Sequence, residues 1–231
     1  MPDLTCPCCG YMSGLTDQYD ICGYCGWMHD PNIEFPDVPE DAANWTLRKA
    51  QRFYMAHGVS DPGVPAMREP QDETLKDPEW MPLDAYRSDD LKLLLAAQRG
   101  ETDEVGALLG SGAAVEVSFR HGIHHSWTSL IWAAHGYGRT VQVLLGYGAN
   151  PNARGKHSAS PLVAAARTCS VEIVKALMRA GADPKLPDNS GISAAQQLDS
   201  PSLVQWLLVR EPGSDPTERI ERMRRALSET D

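Results

Sequence analysis

Two stretches of one kind, Cys6-Pro-Cys-Cys9-Gly and Cys22-Gly-Tyr-Cys25-Gly, place five cysteines within residues 6 to 26. In each, two thiols separated by two residues can turn toward one point while the following glycine supplies the tight backbone, and twelve residues separate the halves. Four thiolates so spaced suit a closed tetrahedral Zn²⁺ site with metal–sulfur bonds of about 2.3 Å, which leaves no open position for water and makes the ion structural. Cys6, Cys9, Cys22 and Cys25 are the expected ligands, with Cys8 as the intervening residue of the first turn. Spacing alone leaves open whether Cys8 replaces Cys6 or Cys9, and whether His29 substitutes for a thiol at a catalytic zinc with three protein ligands and a water. A redox pair needs a single CxxC, usually opening a helix of a thioredoxin-like unit, and neither half sits in such a pattern. The sixth cysteine, Cys169, stands alone.

A second group lies in "VEVSFRHGIHHSWTSL", where His121, His124 and His125 fall within five positions. No carboxylate or cysteine joins them at ligand spacing, so a metal site is disfavoured. Their neighbours Phe119, Arg120 and Trp127 point instead to a contact surface, because aromatic rings and arginine dominate binding energy at interfaces. Trp132, His135, Tyr137, Arg154, Lys156 and His157 extend this into a basic, aromatic partner-binding patch, although Trp132 suits a core equally well. No Ser/His/Asp set, glycine-rich phosphate loop or HExxH occurs, so no catalytic residue is assigned.

These groups need elements to position them. Residues 42 to 57 carry Leu47, Ala50, Phe53, Tyr54 and His57 at helical spacing, and Gly58 should end that helix. Residues 61 to 84 hold five prolines and many acids, with Trp80, Met81 and Leu83 able to fold back as a strap on the cysteine module. Beyond residue 90 self-similarity dominates: units start at 91, 128, 160 and 193, spaced 37, 32 and 33 residues. Each has a short alanine-rich helix, a tight turn, a longer helix with apolar residues three and four apart, then Gly-Ala and an Asn/Asp-Pro turn. Ala96, Ala97, Ala133, Ala134, Ala165 and Ala166 allow close helix approach, while Leu108, Leu109, Leu144, Leu145, Ile173, Val174 and Leu177 fill between layers. The connection from Gly112 to Thr128 runs sixteen residues against twelve from Gly148 to Ser160, so the first turn protrudes with its histidines. Ile220, Met223 and Leu227 share one side of a final short helix.

"CPCCGYMSGLTDQYDICGYCGW", the helix-like "NWTLRKAQRFYMAHG" and "REPQDETLKDPEWMPL" together resemble the cysteine-rich CPCC domain of bacterial proteins, over roughly residues 3 to 84. The resemblance implies a small zinc-ribbon-like module, sometimes found near toxin genes, and names no catalytic residue. The repeats resemble ankyrin units, "SPLVAAA" standing for the Thr-Pro-Leu-His signature and "VEIVKALMRAGADP" for the second helix. That resemblance implies a concave protein-binding surface of turns and first helices. It also places Cys169 where the family usually has glycine, as a packed thiol. The expected fold is mainly α, an ankyrin-repeat solenoid of about four units behind a small zinc-ribbon-like domain. Its divisions are 1–84, 85–212 and a C-terminal helix or tail at 213–231.

The formal net charge of −10 is unevenly placed: residues 1–84 hold five Lys/Arg against fifteen Asp/Glu, and residues 85–231 sixteen of each. An acidic module repels nucleic-acid phosphate and attracts basic surfaces. Without a spanning apolar run or signal-like start, a cytoplasmic protein with no membrane partner is expected. The expected function is non-enzymatic recognition of another protein, in its sharper form an immunity protein neutralising a bacterial toxin or effector with a basic surface. A zinc-dependent enzyme or a general ankyrin scaffold is the alternative.

Overall fold

The computed structural model describes residues 4–15, 21–28, 46–65, 76–78, 80–119, 127–155, 160–188, 191–210 and 215–228. These fall into two compact units, 4–87 and 88–228.

In the first unit, strands β1 (Leu4–Thr5) and β2 (Met12–Leu15) pair antiparallel and enclose the first cysteine turn. The second turn is closed by a bridge between Ile21 and Met28. The turns share one hydrogen-bond scheme. The Cys6 and Cys22 amides donate to the Tyr11 and Trp27 carbonyls at 2.9 and 2.8 Å, and the Gly10 and Gly26 amides donate back to Cys6 and Cys22 at 3.0 and 2.9 Å. Both glycines are left-handed, φ 81° and 77°, and neither has room for a side chain. A Cβ on Gly10 would stand 2.6 Å from the Trp80 ring, and one on Gly26 would stand 2.3 Å from Val64.

Helix α1 (Leu47–His57) begins where the Thr46 hydroxyl caps the Lys49 amide and ends at Gly58, φ 75°, whose amide reaches the Tyr54 carbonyl. The start of the expected helix, residues 42–45, lies outside the described residues. The buried face also differs from the apolar pattern: Leu47, Ala50 and Gln51 are inside, Phe53 and Tyr54 half-buried, and His57 exposed, its ring tilted against Phe53 at 4.3 Å. Gln51 is inside because its amide finds partners there. Nε2 donates to the Pro7 carbonyl at 2.8 Å, and Oε1 accepts from the Leu83 amide at 2.7 Å. Of the proline-rich segment, residues 61–65, 76–78 and 80–84 are described, and the last of these meet the first cysteine turn and α1. The Asp77 amide donates to Gly10 at 2.8 Å, Trp80 Nε1 donates to Pro7 at 3.1 Å, and Leu83 is buried in a 3-10 turn (Leu83–Ala85). Asp84 in that turn accepts from Arg48 and Arg52 of α1 at 2.6 to 2.9 Å.

In the second unit the helices alternate between two layers. The first layer holds α2 (Ser88–Arg99), α4 (Ser129–Ala133), α6 (Pro161–Arg167) and α8 (Ala194–Gln197). The second holds α3 (Thr102–Gly110), α5 (Gly138–Gly146) and α7 (Val171–Arg179). Neighbours within each layer pack in sequence order. The repeat starts have a physical meaning here: the Thr128, Ser160 and Ser193 hydroxyls cap the amides of Ile131, Val163 and Gln196 at 3.3 to 3.4 Å. Leu91 offers no such cap, and its helix starts earlier, at Ser88. The Gly-Ala pairs close the second helices. Gly112, Gly148 and Gly181 are left-handed, and the amides of Ala113, Ala149 and Ala182 return to Leu108, Leu144 and Leu177 at 2.9 to 3.0 Å. The six stacking alanines are at most 1 % exposed, and Leu144, Ile173, Val174 and Leu177 are buried with them, while Leu108 and Leu145 pack only partly buried.

The turns are tied along the stack by side chains. Asp90 accepts from the Ala114 amide at 2.8 Å, Glu116 from Asn150 at 2.6 Å and Asn152 from Asp183 at 2.7 Å. The base of the first long turn is a two-stranded ribbon in which β3 (Ser118–Phe119) pairs with β4 (Trp127–Thr128). The last unit departs from the regular pattern. Helix α9 (Pro201–Arg210) follows α8 and buries Leu203 and Leu207, but it is α10 (Pro216–Ser228) that packs along α7, and its Ile220, Met223, Ala226 and Leu227 join the core. Its Arg219 Nε donates to the Cys169 carbonyl at 3.3 Å, and Arg224 pairs with Asp199 at 2.5 Å. No helix among the described residues is long and apolar enough to cross a membrane.

Candidate metal centre and recognition surface

The two turns bring Cys6, Cys9, Cys22 and Cys25 together, all fully buried, with their sulfurs within 4.8 Å of one another. The pairs Cys6–Cys25 and Cys9–Cys22, one thiol from each turn, stand at 3.7 Å. Four sulfurs at about 2.3 Å from a central ion form a tetrahedron with edges of about 3.8 Å, so these separations fit a four-thiolate ion site. Cys8 is also fully buried and interacts with Cys25, but it is not a member of the four-sulfur group.

The electrostatics carry the same chemical demand. Burial pushes the Cys6 thiol well above its ordinary value. Hydrogen bonding to Cys22 drives Cys25 up, while the reciprocal bond to Cys25 drives Cys22 down, so the thiols compete for protons. Four thiolates cannot coexist in a buried space without a cation to balance them. Tyr54 responds to its surroundings too, its hydroxyl raised first by burial and then by the charge on Cys9.

The backbone that holds the thiols depends on residues with no ligand chemistry. The Pro7 carbonyl, inside the first turn, accepts from both Gln51 and Trp80. Gln51 stands four residues after Leu47, on the same helix face, and nothing in its local sequence names the carbonyl it binds. His29, the alternative ligand, lies outside the described residues.

The expected partner surface is only partly described. Arg120, His121, His124, His125, Lys156 and His157 lie outside the described residues, and Phe119 is placed by its backbone, opposite Trp127. Trp127 and Trp132 are each 7 % exposed, with ring centroids 4.6 Å apart, so their rings fill the interior and present little to a partner. His135 stacks on Trp127 at 5.1 Å and donates from Nδ1 to the Ile131 carbonyl at 3.0 Å. Burial holds its imidazole below the ordinary histidine value, with the Arg167 charge acting in the same direction. Tyr137 is 40 % exposed and lies over Gly100, where an added Cβ would be 2.1 Å from the ring. Arg154 is exposed. Cys169 is 2 % exposed and takes a left-handed backbone, φ 50°, as a glycine would.

Fold and site together define a cysteine-cluster module joined in one chain to ankyrin repeats. Residues 4–74 match the cysteine-rich CPCC family, and residues 93–188 match ankyrin repeats in three copies. A putative ankyrin repeat-containing protein of Treponema pallidum (strain Nichols) is 33 % identical over 115 residues, covering 48 % of this chain and 38 % of that protein. The ankyrin repeat and KH domain-containing protein mask-1 of Caenorhabditis elegans is 33 % identical over 108 residues, covering 47 % of this chain and 4 % of that protein. The chain thus spans well under half the length of either relative. The second unit is thus a stack of ankyrin repeats.

Proposed function

We propose that this is a non-enzymatic recognition protein. Its ankyrin surface binds another protein, and its acidic first unit is a structural zinc module built on Cys6, Cys9, Cys22 and Cys25. The observation that carries this is the ordered repeat stack: its interior is spent on packing and on the Asp90, Glu116 and Asn152 ties, and exposed groups such as Tyr137 and Arg154 remain for contact. When bound, zinc supplies a closed cross-link between the two turns and no reactive position. The sharper form is an immunity protein that neutralises a cognate toxin or effector with a basic surface, the surplus acid of residues 1–84 providing the complementary charge. Its resemblance to modules found near toxin genes supports that form.

Co-expression with the product of the adjacent gene tests it. A toxin harmless in the presence of this chain, and lethal without it, is the expected result. A neighbour that is harmless alone, or lethal in both cases, removes the immunity form, and affinity capture from the native cell then tests general protein binding. Zinc-dependent turnover that a chelator abolishes while the first unit stays folded would replace recognition with catalysis.

A further inference from the structure

The two halves of the cysteine cluster are not held alike. Every residue from Cys6 to Tyr11 is buried. Three hydrogen bonds from elsewhere in the unit hold this turn: Gln51 and Trp80 to the Pro7 carbonyl, and the Asp77 amide to the Gly10 carbonyl. The second turn stands toward solvent, with Ile21 62 % and Met28 47 % exposed on its closing bridge and Gly23 exposed at its bend. Among the described residues one hydrogen bond from outside reaches it, the Ser60 amide to the Cys25 carbonyl at 2.7 Å. Among the described residues it also packs through Val64 on Gly26, Tyr24 on Tyr11 and the buried Trp27 side chain.

We propose that the site loads and unloads its metal ion through the second turn, with Cys22 and Cys25 as the exchanging thiols and Cys6 and Cys9 as the fixed pair. This rests on the four-cysteine metal site proposed above. An ion enclosed by four buried sulfurs leaves only when local opening admits a competing ligand. Opening favours the segment with more exposed backbone and fewer tertiary hydrogen bonds. During exchange the Cys22 and Cys25 sulfurs give up their bonds to the ion as an incoming chelating ligand with sulfur or nitrogen donors forms its own. Each freed thiolate takes a proton from water.

The experiment uses the zinc-loaded full chain, challenged with EDTA and pulse-labelled with N-ethylmaleimide. Chymotryptic cleavage between the two turns, with fragment-ion assignment, then reads each cysteine. Cys22 and Cys25 should label at least about tenfold faster than Cys6 and Cys9, a ratio that one or two extra net hydrogen bonds on the first turn support. Gln51→Leu should narrow the ratio while zinc stoichiometry stays at one. Trp80→Phe, which keeps a ring against Gly10 but loses the Pro7 bond, gives the same readout if Gln51→Leu fails to fold. Equal rates, the reverse order, or a ratio unchanged in both variants would overturn the inference and leave the metal site standing. A chain that binds no zinc, or whose labelling ignores EDTA, overturns the metal site and the inference with it.

Discussion

Single residues here are constrained by their neighbours more than by their own chemistry. Gly10 has both a left-handed backbone and a tryptophan ring where its side chain would be. Gly10→Ala should cost about 1–2 kcal/mol from backbone strain alone, and more because Trp80 must move off the Pro7 carbonyl. Denaturant unfolding of the zinc-loaded chain measures this, and a loss below half a unit on that scale would mean the turn relaxes. His135 makes a different prediction, in pH. Its folded value lies below the ordinary histidine value near 6.5, so its contribution to stability is whole above that pH. As the pH falls the unfolded chain takes up the proton first, and the contribution is lost as the pH approaches the folded value. Thermal unfolding across pH 8 to 5 should show this decline, flattened in His135→Gln. An unchanged slope would move the titration to other groups.

At the scale of elements, the same few devices recur and explain why the repeats were readable. A hydroxyl at the starts of the second, third and fourth units caps the first helix, and a left-handed glycine closes α3, α5 and α7, so both ends are written locally. The end of the stack is not written that way. By spacing, α9 is the second helix of a fourth unit, yet it is α10 that packs along α7, with Met223 fully buried. Met223→Ala should therefore destabilise the repeat unit by about 2–5 kcal/mol, as for truncations of buried side chains generally. A frayed terminal helix predicts a change within about 0.5 kcal/mol, as for surface substitutions. Far-UV circular dichroism during urea unfolding separates the two outcomes.

Over the whole molecule, two cores of different kinds share one chain. Among the described residues of 4–87 few large apolar side chains are buried, Leu47, Leu83, Tyr11 and Trp27 among them, beside five buried cysteines. A core that small depends on a staple. Residues 88–228 have a continuous apolar core from Leu93 to Leu227. Zinc removal by EDTA should therefore make residues 4–87 sensitive to protease while the helical signal of residues 88–228 persists. Loss of both together would show that the repeats depend on the metal module. The cysteine spacing, the Gly58 helix stop, the repeat starts, the Gly-Ala turns and the alanine stripes were legible because each is a local rule, in which a residue's type fixes the backbone within a turn or two of itself. Tertiary structure alone decided that Gln51 is inside, that Trp127 and Trp132 turn away from the surface, that Asp90, Glu116 and Asn152 bind the turns together, and that α10 rests on α7. Each of these depends on a partner some 24 to 50 residues away or on a packing surface assembled by several helices. Local periodicity records that a side chain is apolar or polar, but only the folded neighbours determine whether a polar group is satisfied when buried.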